Sequence, residues 1–190
     1  MAFKYKGSSN TWGLVAIILH WVLAVLLFFQ FASGIRLSTL NFSSAKLELI
    51  DLHQSFGSII MILVFVRIIW RLNNKKPSNI LLPKYHLILS QITHMIVYFL
   101  LFTIPLLGFL YNWLSDLDII LFGYFTLPNI IMIENDDIAD VLIEFHFYLA
   151  IIFMLIIFVH ISAAIYHLVS LKDKYKIFYR MNFVSAKDKK

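Results

Sequence analysis

From Phe145 to Leu171 the chain reads FHFYLAIIFMLIIFVHISAAIYHLVSL, 27 residues without a single Asp, Glu, Lys or Arg. At about 1.5 Å per residue, such a run crosses the ~30 Å hydrocarbon core of a bilayer as one helix. Inside it sit His146, His160 and His167. The fourteen steps from His146 to His160 bring the rings back to within roughly 40° of one face, about 21 Å apart in depth. His167 continues the stripe. Ionisable groups at membrane depth are costly and are usually kept for a site. Two imidazoles on one face at opposite leaflets suggest one half of two metal sites, and the other helices can be searched for the missing ligands.

The rest of the chain is of the same kind. Its 190 residues are 61% hydrophobic and only 14% charged, with a mean hydropathy of +0.82, and the apolar residues fall into four blocks of spanning length. That pattern predicts one integral membrane domain over residues 1–190 and no soluble one. Without cysteine there is no thiolate site, iron–sulfur cluster or CxxCH haem attachment, so a bound metal must use histidine, carboxylate or oxygen ligands. The net charge of +5 and pI near 9.4 do not argue for nucleic acid, because the basic residues flank apolar spans and face anionic lipid headgroups.

Taken in order, the sequence predicts an all-α, four-helix transmembrane bundle, with helices over about 12–35, 52–72, 85–113 and 141–171. The first apolar run is too long for a signal-peptide core, and its His20–Trp21 pair would be out of place in one. A polar connection, Arg36 to Asp51, joins the first two helices. Pro105 and Gly108 are expected to bend the third. Residues 119–133 are apolar but too short to span and are broken by Gly123 and Pro128, so they read as an interfacial lid over the bundle.

Charge predicts the orientation. The first few residues, the region from Arg67 to Lys84 and the tail from Lys172 onward hold 14 of the 16 Lys and Arg, whereas the 1–2 and 3–4 connections hold 9 of the 11 acidic residues. By the positive-inside rule both termini are cytoplasmic, which requires an even number of spans. His20 then lies in the inner leaflet level with His160, and His53 lies near the outer surface level with His146. The pairs His20–His160 and His53–His146 follow from this topology.

Other residues fit the same frame. Gly34 is fourteen residues after His20, on the same face at the outer level, where a missing side chain admits a flat macrocycle. Gly57, one turn after His53, is placed to serve likewise. Arg67, fourteen residues after His53, reaches the inner level and is suited to pair with a propionate. Two imidazoles per site, with no neighbouring carboxylate or thiolate, match a bis-histidine b-type haem best. Two such haems stacked across a bilayer make an electron wire.

The segments LHW (Leu19–Trp21), LHQSFG (Leu52–Gly57) with VRIIWRL downstream, HMIVYFLLFTIPLLG (His94–Gly108) and EFHF…FVHISAAIYH (Glu144–His167) resemble the prokaryotic cytochrome b561 family, which overlaps the haem b subunits of nickel–iron hydrogenases and formate dehydrogenases. The resemblance covers nearly the whole chain. It implies two b haems held by His20 and His160 and by His53 and His146, in a multi-pass protein of the bacterial inner membrane. Some stand-alone members take electrons from superoxide and pass them to ubiquinone. In those members the residues matching His167, Lys172 and Asp173 look like the quinone site. His94 is left open between helix-to-helix hydrogen bonding, a propionate and ligation, and His86 reads as interfacial.

Two functions follow. The first is a quinone-linked oxidoreductase that moves electrons from a periplasmic one-electron donor, with superoxide in the lead, to the ubiquinone pool; no side chain is assigned a catalytic role. The second is a haem b anchor or electron-transfer subunit for a periplasmic dehydrogenase, hydrogenase or basic cytochrome. The seven acidic residues from Asp116 to Glu144 favour a basic partner and should repel an anion unless Arg36 and Lys46 form a positive mouth. A haem-free transporter is a third, weaker reading.

Overall fold

Four stretches whose best windows have mean hydropathies of 1.9 to 2.6 become four helices, each long and apolar enough to cross a membrane. The computed structural model describes residues 5–8, 12–75, 77 and 83–169. Within them lie α1 (Leu14–Thr39), α2 (Ser44–Leu72), α3 (Lys84–Leu114), a hairpin of β1 (Ile119–Leu121) and β2 (Phe125–Leu127), and α4 (Asp136–Val169). Val25, Phe28, Phe99 and Phe158 are each more than half exposed. Such a surface suits lipid, where each helix satisfies its own backbone and apolar side chains cost nothing to expose.

Cross-helix contacts fix an up-down-up-down order. Ser33 meets His53 and Arg67 meets His20, so α1 and α2 are antiparallel. Gln54 bonds Asn112 and Arg67 bonds Tyr98, which orients α3 against α2. Ile104 meets His146 and His94 faces His160, which does the same for α4. One end of the bundle therefore carries the 1–2 turn and the hairpin; the other carries the 2–3 connection, the start of α1 and the end of α4. A core of Leu23, Ile60, Val64, Leu100, Ile104 and Phe153 lies between them. α1 packs along α2 and α3 along α4, whereas α1 and α4 approach each other little, chiefly through side chains such as Phe31 against Phe153.

Three details depart from the expected layout. The helix expected from Leu52 begins at Ser44 and α1 runs on to Thr39, so only residues 40–43 of the polar 1–2 connection lie outside a helix: Ser43 caps α2 by accepting from Lys46 N at 3.3 Å. Polar Lys46, Glu48 and Asp51 belong to the part of α2 nearest the bundle end, where charge is no obstacle to a helix. α4 likewise starts at Asp136, capped by Asn135 Oδ1 at 3.0 Å from Ile138 N. The lid contains a β-hairpin, turning through Phe122 and Gly123, both at positive φ. A bulky residue rarely adopts that conformation. Here Phe122 is held from two sides: its N–H donates to Ser55 Oγ at 2.7 Å, and its ring meets Phe56 edge-on at 5.4 Å. Ile119, fully buried, seats the hairpin against α2.

Candidate functional site

Each histidine of α4 faces an imidazole from another helix. His146 stands opposite His53 of α2 at 6.1 Å between ring centroids, His160 opposite His94 of α3 at 6.4 Å, and His167 opposite His86 of α3 at 5.4 Å. All six rings are half-buried. Among the described residues no three His, Asp or Glu side chains converge as a bare metal ion would need, which leaves chemistry that uses two imidazoles at a time.

The pair at the hairpin end is the best defined. Ser33 Oγ donates to Gln30 O at 3.0 Å, so it receives its 2.8 Å contact from His53 Nδ1–H. His146 Nδ1 lies 2.8 Å from Ile104 O, and a carbonyl only accepts, so this nitrogen also carries the proton. Both rings thereby keep an unprotonated Nε2, the form a metal takes, with the tautomer fixed by the partner of the other nitrogen. Metal–imidazole bonds of about 2 Å put two rings on one metal about 6 Å apart, centre to centre.

Between these rings opens a cavity of about 500 Å³. Gly34, Gly57 and Gly108 line it together with apolar side chains including Phe31 and Phe153. A methyl group at Gly34 would stand 3.5 Å from His53 Cε1, and one at Gly108 would stand 3.4 Å from His146 Cε1 and Nδ1. Glycine thus leaves each imidazole free on one side. Gly57 has a different neighbour: a Cβ there would meet Gln30 Nε2 at 3.1 Å, which itself donates to His53 O at 3.0 Å. The described residues fit a flat, apolar macrocycle with two axial nitrogens. The cavity's one charged lining residue among them is Lys46, whose Nζ donates to Leu40 O at 2.9 Å; no carboxylate lines it.

The other end holds three imidazoles that lie within electrostatic range of one another without converging on one point. His94 and His160 both lie within electrostatic range of His20. His94 donates from Nδ1 to Ser90 O at 2.6 Å and so also keeps a free Nε2. His20 differs. Its Nδ1 lies 3.1 Å from Arg67 Nη2, and a guanidinium only donates, so Nδ1 accepts and the proton sits on Nε2. Arg67 is also fixed by donating from Nε to Tyr98 OH at 3.0 Å. Arg71 lies over the rings of Trp12 and Tyr98, 5.5 Å from each centroid.

Arg67→Leu would remove a cation bonded directly to the His20 imidazole. We expect it to shift the midpoint potential or occupancy of a redox group at this end while leaving the hairpin-end group as it was, which a redox titration would read. An equal effect at both ends would count against a local role for Arg67.

Lys172 and Asp173 lie outside the described residues, so only His167 of the three expected quinone residues has a described position. Sequence reasoning missed Ser33, Gln30 and the Ile104 carbonyl as partners of the histidines, because their proximity depends on helix rotation. Gly108 was read as a bend, and its place beside His146 had no signal in the sequence. Phe153 belongs to the core, Tyr98 anchors Arg67, and Trp21 lies edge-on to His20 at 5.5 Å.

The chain is also similar in sequence to known proteins. The family model described as "Prokaryotic cytochrome b561" matches residues 11–179. "Cytochrome b561 homolog 2" of Escherichia coli (strain K12) is 26% identical over 151 residues, covering 77% of this chain and 79% of that protein. "Probable superoxide oxidase CybB" of Yersinia pestis is 28% identical over 156 residues, covering 82% of this chain and 87% of that one.

Proposed function

The chain belongs to the prokaryotic cytochrome b561 family, an integral membrane b-type cytochrome of electron transfer, and from that premise we propose that it links a one-electron donor outside the inner membrane to ubiquinone. Two b haems supply the one-electron redox centres. His53 and His146 hold one at the hairpin end, and His20 and His160 hold the other. The observation that carries the reading is the first pair: two opposed imidazoles with free Nε2 atoms, glycine beside each, and a cavity of about 500 Å³ between them.

The hairpin end faces outward in this reading, since 14 of the 16 basic residues belong to the opposite end and the tails. For His20 to ligate through Nε2, its proton must move to Nδ1. Nδ1 then repels the Arg67 N–H it now accepts, and the released guanidinium is free to bind a propionate. His167, in the last turn of α4, supplies the hydrogen-bonding and proton-exchanging group for a quinone carbonyl, with Lys172 and Asp173 beyond it.

Superoxide is the donor we favour. Two superoxide anions each leave as dioxygen after giving up one electron; one quinone takes both electrons and two protons. The acidic 3–4 connection would oppose an anion, but none of its carboxylates lines the cavity, whereas Lys46 does. One relative is named for superoxide oxidation, which supports the same choice.

The test is a pulse of superoxide into the oxidised holoprotein, followed by stopped-flow absorption with and without ubiquinone. Rapid reduction of the haem b bands and quinone-dependent reoxidation are expected. His167→Ala should keep both bands and lose most of the reoxidation. Haems that stay oxidised after the pulse would sink superoxide as donor and turn the search to the second reading, an electron-transfer subunit for a basic periplasmic protein, which the acidic outer connection favours.

A further inference from the structure

The His86–His167 pair has no part in the wire just described. His86 stands in the first turn of α3 and His167 in the last turn of α4, edge to face at 64°. Tyr85 lies against His86 at 4.4 Å and Tyr166 beside His167 at 6.0 Å. Both helix ends lie at the face of the bundle opposite the hairpin, where the apolar spans meet water and headgroups. α3 and α4 pack directly along one another, so the pair offers no slot for a third macrocycle.

Two facing imidazoles at that surface are suited to proton exchange. Reduction of one quinone consumes two protons as well as two electrons, and a quinone in an apolar slot cannot draw protons from lipid. α3 has no carboxylate, and the carboxylates of α4, Asp136 to Glu144, are all at its other end. The remaining titratable side chains on the two described helix ends are Lys84, Tyr85 and Tyr166, and of all these types imidazole alone ordinarily titrates near neutrality.

We propose that His86 is the proton relay of the quinone site, taking protons from water at this face and passing them through His167 to the quinone carbonyl oxygens. The inference rests on the quinone reading of His167. At the observed separation ring nitrogens exchange a proton directly or across one water. In each of two rounds one electron arrives from the wire and one proton leaves a His167 N–H for a carbonyl oxygen. His86 then restores that N–H and is itself reprotonated from water. The sum is one quinone, two electrons and two protons to one quinol. His86 acts through His167 and is a positioning and relay residue.

His86→Phe and His167→Phe holoproteins, reduced beforehand and mixed with ubiquinone, test this together with an equilibrium titration of ubiquinone binding. His86→Phe should show unchanged haem bands and an unchanged Kd for ubiquinone. Its quinone-dependent reoxidation should be slower by about tenfold or more, and added free imidazole should restore it. Reoxidation at the wild-type rate would overturn the relay, and so would slow reoxidation that imidazole does not lift, since that marks a merely structural ring. His86→Gln serves the same comparison if the phenylalanine variant does not fold. If His167→Phe itself reoxidises normally, the quinone reading falls; if it is blocked while His86→Phe is not, the relay alone falls.

Discussion

On the proposed two-haem reading, purified His53→Ala or His146→Ala protein should carry about one haem per chain against about two for the native chain. The reason is local. Each ring is turned by a bond at Nδ1, to Ser33 Oγ or to the Ile104 carbonyl, so that Nε2 is left to bind iron. Alanine removes the lone pair and leaves Ser33 or the carbonyl without its partner. The pyridine haemochrome measures the loss directly, and the surviving haem should keep a six-coordinate spectrum because the far-end imidazoles are untouched. Ser33→Ala should act in the same direction but more weakly, lowering haem affinity by about 10- to 100-fold, the usual cost of losing a bond that orients a metal ligand. A full complement of two haems in His53→Ala would mean that the hairpin-end cavity holds something else. Gly108 gives an independent check at the same place. Its missing side chain leaves His146 clear, and a leucine there would have to occupy space 3.4 Å from the ring, so Gly108→Leu should mimic the loss of His146 without deleting any ligand.

Much of this pair was legible in the sequence because depth along a spanning helix is set by residue count and by the direction in which the chain crosses. His53 near the start of α2 and His146 near the start of α4 share a level for that reason alone, and both helices begin at the hairpin end. Rotation is a different quantity. Nothing in the spacing of α3 says whether His94 faces lipid, α2 or α4, and its place opposite His160 emerges only when the helices are packed. The start of α2 was hidden by the polar residues between Ser44 and Asp51, which look like a loop when hydropathy alone marks a helix. The hairpin was unreadable because two three-residue strands carry no period, and because its turn is held by Ser55 and Phe56, far away in sequence.

That missing rotation leaves the inner site with three imidazoles for two axial positions, and a pair of variants divides them. His20→Ala will abolish the six-coordinate signal of the inner haem, and His94→Ala will keep it. At first sight the contacts favour the reverse, since His94 faces His160 at 6.4 Å with its Nε2 free, whereas His20 holds its proton on that atom. Helix packing argues the other way. Two side chains that meet one iron from opposite faces of a macrocycle hold their helices farther apart than the 8–10 Å of directly packed helices. His53 and His146 meet that condition, because α2 and α4 do not pack closely along one another; His20 and His160 meet it too, because α1 and α4 approach each other little. His94 and His160 belong to α3 and α4, which pack side by side. The proton on His20 is the smaller obstacle, since neutral imidazole changes tautomer readily once Arg67 has another partner such as a propionate. Electron paramagnetic resonance of the oxidised variants would report the ligation of each haem separately. Loss of the inner low-spin signal in His94→Ala, with its retention in His20→Ala, would reassign the iron to His94 and His160 and leave His20 as the anchor of Arg67.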